Sequence, residues 1–242
     1  QLGRSSCAAG GTCGLRSVSH RSQVTVDPVT FVVLWRAKQW ASRTGGVFDP
    51  CLGRLSEMWD FRREVPPEAG VYGALANAKL YRTLELDPGN RGVRLTDARA
   101  KVDLGAIAKG FAVDRATAVL RTRGIRDALV NAGGDLYAMG RSADGDCWKV
   151  GVRDPANPDQ TSLEIEAENV GIATSGDYQR YFEHQGVRYH HILDSSTGTP
   201  SRGGVHSITV KASNCCTADA LATARFGRWV NPVQSTELLA EL

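Results

Sequence analysis

Three short segments of this chain combine turn-forming glycines with polar side chains that can converge on a ligand. The first is Asp103-Leu-Gly-Ala-Ile-Ala-Lys-Gly110. A strand should deliver Asp103, the small residues permit close backbone approach, and a helix is expected from about Ile107 to Arg123. The free N–H groups at such a helix start suit an anion, phosphate in particular. Lys109 places a cation in the first turn, where the helix dipole disfavours it. Either Lys109 meets an anionic ligand, or it is a solvated residue beside an Asp103 that merely caps the helix.

The second segment is Thr174-Ser-Gly-Asp-Tyr178, followed by His190-His-Ile-Leu-Asp-Ser-Ser-Thr-Gly-Thr-Pro200. Thr174 and Ser175 read as a polar turn after the apolar strand at Gly171-Ile-Ala. His191, beside a turn built by Asp194, Ser195, Thr197 and Gly198, could be a general base or could hold that turn by hydrogen bonding. Read as a strand, Arg188 to Leu193 would send His190 and His191 to opposite faces. The third segment is Asp219-Ala-Leu-Ala-Thr223, whose two polar residues share a helix face four positions apart. A carboxylate and a hydroxyl are hard oxygen ligands suited to Mg²⁺, which takes about six oxygens at roughly 2.1 Å. Alternatively, Asp219 is only a partner of the helix dipole.

The elements that must position these groups are partly legible. Asp27-Pro28 predicts a helix start, and Gly45-Gly46 a stop. A segment with several Gly and Pro follows from Val47 to Gly73, containing Met58-Trp-Asp-Phe61. Leu80 to Leu86 alternates like a strand, and Asp87-Pro-Gly-Asn90 should turn it into a hairpin. In the second helix, Ala108, Ala112, Ala116 and Leu120 suggest the apolar face, and Gly124 the cap. Trp148, Val150 and Val152 alternate with polar residues, as do Ile208 and Val210. A third helix is expected over Thr217 to Phe226, ending at Gly227. Helices clustered beside runs of strands read as α+β rather than as a βαβ nucleotide fold.

Composition narrows the function. The 242 residues are 42% hydrophobic and 23% charged, enough for a sizeable core, and 29 Lys+Arg against 26 Asp+Glu leave only +3. No dense basic run points to nucleic acid. The longest strongly apolar run, Phe31 to Trp35, is far short of the roughly 20 residues of a membrane span. Residues 1–22 read as an irregular N-terminal segment without an apolar signal core, and Gln1 in place of Met favours a trimmed chain. The six cysteines form no C-x-x-C pair and no zinc rhythm.

Taken in order, the motifs resemble those of the ApbE-type FAD:protein FMN transferases. The resemblance rests on Gly45-Gly-Val-Phe-Asp-Pro50, Leu104-Gly-Ala-Ile-Ala-Lys-Gly-Phe-Ala-Val-Asp114 and Asn131-Ala-Gly-Gly-Asp135. It continues through Ala173-Thr-Ser-Gly-Asp-Tyr178, His191-Ile-Leu-Asp-Ser-Ser-Thr-Gly198 and Ala218-Asp-Ala-Leu-Ala-Thr223. The family's Trp-Gly-Phe is Trp59-Asp60-Phe61 here. The resemblance implies a T-fold-like α+β architecture with mixed antiparallel sheets and a few helices, as a transferase domain over residues 23–242 that is short at its N-terminus. It implies a Mg²⁺-dependent transfer of FMN from FAD to a Thr or Ser hydroxyl of an acceptor flavoprotein, with AMP leaving. Val47, Phe48, Asp49, Asp103, Lys109 and Leu193 would contact FAD. The Ala106 carbonyl, Asp219 and Thr223 would hold the metal, and His191 would be the catalytic base. It also implies work in the periplasm or at the inner membrane. An FAD pyrophosphatase and a non-catalytic FAD-binding protein are the alternatives.

Overall fold

The protein is described as a computed structural model over residues 22–68, 70–157, 159–228 and 236–240. Apart from Ser22, the irregular segment expected at the N-terminus lies outside the described residues, as do Cys7 and Cys13. The elements run β1 (Val24–Thr25), α1 (Pro28–Arg43), α2 (Gly53–Met58), β2 (Leu84–Asp87), β3 (Gly92–Leu95) and α3 (Ala108–Thr122). Then come β4 (Ala128–Ala132), β5 (Asp135–Met139), β6 (Trp148–Arg153), β7 (Thr161–Ala167) and β8 (Val170–Gly176). The chain continues with β9 (Tyr181–His184), β10 (Val187–His190), β11 (Leu193–Asp194), β12 (Thr199–Pro200), β13 (Ser207–Ala212), α4 (Cys215–Arg228) and β14 (Thr236–Ala240).

Local chemistry accounts for several of these boundaries. Asp27 caps α1 by accepting from the Val29 and Thr30 amides at 2.9 and 3.0 Å, satisfying donors that the helix cannot. Gly45 and Gly46, at φ of 63° and 86°, end it. The turn at Asp87 to Asn90 joins β2 to β3 as an antiparallel hairpin. The expected strand over Leu80–Leu86 is corrected: Leu80–Thr83 is a 3₁₀ turn and only Leu84 onward is extended. Leu80 and Tyr81 are both buried, and Asp49 Oδ2 accepts the Tyr81 amide at 3.1 Å, holding the turn from outside. Helix α2, inside the Gly- and Pro-bearing segment, has no signal in the sequence pattern.

A five-stranded sheet, ordered β14-β13-β8-β5-β4, forms the centre. Its pairs are antiparallel except β13 with β14. The β6–β7 hairpin covers one face, burying Val150, Val152 and Ile165 against Leu136, Ala138 and Ile172. Helices α3 and α4 cover the other. The polar turn expected at Thr174-Ser175 is instead the end of strand β8. Alternation along it sends Gly171, Ala173 and Ser175 toward α4, while Thr174 faces away and pairs its hydroxyl with Thr209 at 2.8 Å. Helix α4 begins at Cys215, two residues earlier than expected, and runs through Gly227. Ala218 and Ala222 pack on the sheet, while Ala220 and Ala224 pack on α1. Small residues on both flanks let it lie buried between two layers.

The face of α3 also differs from expectation. Ala108, Ala112 and Ala116 are exposed, and Gly110, Phe111, Val113 and Thr117 are buried. The larger side chains and the contact with α4 choose the face, against the alanine repeat. Gly110 allows that contact: a Cβ there would meet the Cys215 carbonyl oxygen at 2.3 Å and the Asp219 Cβ at 2.9 Å. Gly171 does the same from the sheet side, where a Cβ would lie 2.3 Å from the Cys215 nitrogen. Among the described residues the cysteines, Cys51, Cys147, Cys215 and Cys216, are unpaired. No helix among them is long and apolar enough to cross a membrane.

Gly110→Ala should therefore destabilise the chain by about 1–3 kcal/mol, because backbone must move to admit the methyl group. Thermal unfolding should show a Tm lower by several degrees, whereas Gly124→Ala, with nothing near its Cβ position, should act only through its left-handed backbone. An unchanged Tm for Gly110→Ala would contradict the close packing of α3 on α4.

Candidate active site

A cavity of about 360 Å³ opens where the helix layer meets the sheet and the loop after α1. Its walls include Val47, Phe48, Asp49, Asp103, Ala106, Lys109, His191, Leu193, Asp219 and Thr223. Every residue nominated from the sequence thus borders one space, although they come from four separate stretches of chain. A second cavity of about 430 Å³ adjoins it, shares Val47, Asp49 and Leu52, and carries Lys79 and Arg202 on its wall.

The nominated residues are placed in different ways. Asp49 is engaged on both oxygens, by the Cys51 amide at 2.9 Å and the Tyr81 amide at 3.1 Å, and burial raises its pKa. It therefore shapes the wall. The Phe48 ring belongs to the core formed by Trp40, Ile107, Ala220 and neighbours. Asp103 does not cap α3, whose N-cap is Ile107 without a side-chain bond. Its Oδ1 instead accepts the Gly105 amide at 2.9 Å, tightening the turn ahead of the helix. Nor does a regular strand deliver it: its N–H donates to the Pro50 carbonyl beside an isolated bridge between Leu52 and Lys101.

Around Asp219 the polar groups crowd together. Asp219 is buried, and its Oδ2 accepts the Gly110 amide at 3.0 Å. Regular helical pairing would give that N–H to the Ala106 carbonyl, which is left without a backbone donor among the described residues. Thr223, one turn along α4, has its hydroxyl 3.2 Å from that of Ser175. Lys109 is half-buried and not free: its ammonium pairs with buried Asp135 and lies 3.8 Å from Asp219 Oδ1. Burial opposes the lysine's charge, but Asp219 and Asp135 outweigh it and hold its pKa above the ordinary value. Burial, reinforced by Asp135, pushes the Asp219 carboxyl up. The carboxylate, the hydroxyl and the carbonyl without a backbone donor make an all-oxygen set on one wall, and it fits a hard divalent cation completed by water or phosphate oxygens. No cluster of three His, Cys, Asp or Glu side chains suited to a metal occurs among the described residues, so a cation here depends on that mixed set.

Across the cavity, strand β10 ends at His190 and His191 lies in a bend. The two rings still part company. His190 is buried against Phe226 with Nε2 2.7 Å from the Ser201 carbonyl, a structural position. His191 Nδ1 lies 3.2 Å from the Arg180 carbonyl. A carbonyl can only accept, so Nδ1 carries the proton and Nε2 keeps its lone pair. Burial lowers the His191 pKa to about 4, against the pull of that carbonyl.

Several wall residues escaped the sequence reading. Arg180 and Phe61 stack at the rim, guanidinium over ring at 5.0 Å. Gln179 also lines the cavity, and Asp135 lies behind it. Asp135 and Phe61 carried a signal, at the ends of the Asn131 to Asp135 and Trp59 to Phe61 motifs; Arg180 and Gln179 carried none.

Comparison with known proteins agrees on one family. The model of the ApbE family matches residues 15–240. The FAD:protein FMN transferase of Treponema pallidum is 37% identical over 229 residues, 88% of this chain and 63% of that protein. The one from Rhodobacter capsulatus is 38% identical over 203 residues, 82% of this chain and 38% of the relative. Among solved structures, the ApbE protein of Thermotoga maritima superposes with a TM-score of 0.81 at 38% identity, covering 87% of this chain and 69% of that one. The flavin transferase ApbE of Vibrio cholerae gives 0.71 at 32% identity, covering 84% and 65%. The chain therefore spans less than two thirds of the length of these two curated relatives.

The lowered pKa gives a pH prediction. A histidine whose folded pKa lies below the unfolded value of 6.5 stabilises the fold fully above about pH 6.5, and that contribution is lost as pH falls toward 4. The His191 ring resonances, assigned by comparison with His191→Gln, should stay those of a neutral imidazole from about pH 7.5 to 5.5. A midpoint near 6.5 would place the ring in open water.

Proposed function

The chain belongs to the ApbE family, and from that premise we propose that it transfers FMN from FAD to a Thr or Ser hydroxyl of an acceptor flavoprotein, releasing AMP. One observation carries this reading: the unprotonated Nε2 of His191 and the Lys109–Asp219–Thr223 wall border the same cavity. Phosphoryl transfer from a dinucleotide to a hydroxyl needs a proton acceptor on one side and positive charge on the other. The adjoining cavity gives an extended dinucleotide room for its second half.

In this mechanism Lys109 and the N–H groups at the start of α3 bind the pyrophosphate oxygens. Arg180 holds His191 through its carbonyl so that Nε2 faces the incoming hydroxyl. That oxygen attacks the phosphorus on the FMN side, and its proton passes to Nε2. The bond from that phosphorus to the bridging oxygen breaks, and AMP leaves with the bridging oxygen. Mg²⁺, held by the Asp219 carboxylate, the Thr223 hydroxyl and the Ala106 carbonyl, would supply positive charge to the pyrophosphate. Phosphate charge entering the cavity raises the basicity of His191 from its low resting value.

The test is incubation with FAD, Mg²⁺ and a candidate acceptor, followed by acceptor mass and AMP measurement. An acceptor gaining one FMN per AMP supports the proposal. FMN and AMP both free in solution would make the chain a pyrophosphatase, and unconsumed FAD would overturn catalysis altogether. Asp219→Asn keeps the side-chain shape and removes the charge. Loss of an outer partner of a metal ligand commonly costs about 10–100-fold, so losing a ligand should lower turnover at least about 100-fold with circular dichroism unchanged. A wild-type rate and Mg²⁺ dependence in this variant would remove Asp219 from the metal set.

A further inference from the structure

The mechanism above leaves the Asn131-Ala-Gly-Gly-Asp135 motif without a task, yet the motif builds a specific device. Gly133 and Gly134 take φ of 64° and 101°, a path that side-chain-bearing residues rarely follow. Asn131 Oδ1 accepts the Gly134 amide at 3.0 Å and closes the turn. Asp135 then opens β5, paired with Ala132 across the turn, with its side chain 1% exposed. A carboxylate this buried needs a partner, and the partner is the Lys109 ammonium.

That ammonium has two carboxylates within reach. It is hydrogen-bonded to Asp135 and stands 3.8 Å from Asp219 Oδ1, too far for a hydrogen bond. The Lys109 side chain is 43% exposed, and its stem is flexible. If the charge on Asp135 were absent, Asp219 would be the ammonium's nearest anion, and a short swing would place it on Oδ1. The motif thus decides which carboxylate the lysine satisfies.

We infer that Asp135 is a positioning residue which holds the Lys109 ammonium off Asp219 and so keeps Asp219 Oδ1 open to a divalent cation. The inference rests on the metal reading proposed above, and it concerns residues of this chain alone, before any flavin binds.

Mn²⁺ serves as the probe, with free ion followed by paramagnetic resonance in the absence of FAD, and Tm recorded for each variant. Asp135→Asn should weaken Mn²⁺ binding at least about tenfold, the scale of a lost outer partner. Lys109→Met should bind within about threefold of wild type or more tightly, because it removes the competitor. The double variant should return to within about threefold of Lys109→Met, since Asp135 acts through the lysine. An equal loss from Asp135→Asn with and without the lysine would show a direct charge effect and overturn the inference. So would a lower Tm with unchanged Mn²⁺ affinity, the signature of a purely structural role. Should Asp135→Asn alone fail to fold, the double variant removes both charges together. Affinity within about threefold of wild type supports the inference there, and a tenfold loss overturns it. A wild-type chain that binds no Mn²⁺ would overturn the metal reading itself and the inference with it.

Discussion

The start of α4 is the constraint on which the rest of this structure depends. A helix leaves its first amides unpaired, and burying them without acceptors would cost more than the packing returns. Here Asp114 reaches across from α3 and accepts the Cys215 and Cys216 amides at 2.8 and 3.0 Å. Asn214 Oδ1 takes the Thr217 amide at 2.9 Å. With those donors satisfied, Gly110 and Gly171 bring α3 and β8 into backbone contact with the same turn of helix. The position of Asp219, one turn further on, follows from that junction. So does the meeting of Thr223 with Ser175.

The same junction settles the electrostatics. Two carboxylates, Asp135 and Asp219, are withdrawn from water with one ammonium between them, so the wall keeps an anionic balance. Desolvation makes that balance expensive, which is why the Asp219 carboxyl is pushed toward its neutral form. A cation drawn to the wall would relieve the penalty, and the all-oxygen donor set suits a hard one. His191 faces the opposite pressure. Burial strips its charge, leaving a neutral ring whose free nitrogen is chosen by the Arg180 carbonyl. One wall therefore holds excess negative charge in little water, while the other presents a neutral ring.

Much of the local structure was legible before any tertiary contact was known. Asp27-Pro28, Gly45-Gly46 and Asp87-Pro-Gly-Asn90 act through hydrogen bonds and backbone preferences within a few residues, so their effects survive in any fold. The motifs bordering the cavity were legible for a related reason: residue types such as Asp219 and Thr223, at a spacing of four, share a helix face wherever the helix goes. Asp114 also lay within a quoted motif, but its work is done more than a hundred positions along the chain, and spacing could not reveal it.

The tertiary structure decided whatever depended on a distant partner. Thr174 and Ser175 look like turn residues because their hydroxyls favour turns locally, yet Thr209 and Thr223 supply partners that hold them in a strand. The alanine stripe of α3 lost to Gly110 and Phe111 because close approach to α4 rewards a missing Cβ and a large ring on the same side. Lys109 appeared to be either solvated or waiting for phosphate. Its two carboxylates come from β5 and α4, brought together only when the sheet and helices pack. The sequence by itself determined the caps, the turns and the chemistry present. Which groups face one another, and therefore their charge states, depended on burial and long-range proximity, which no local pattern encodes.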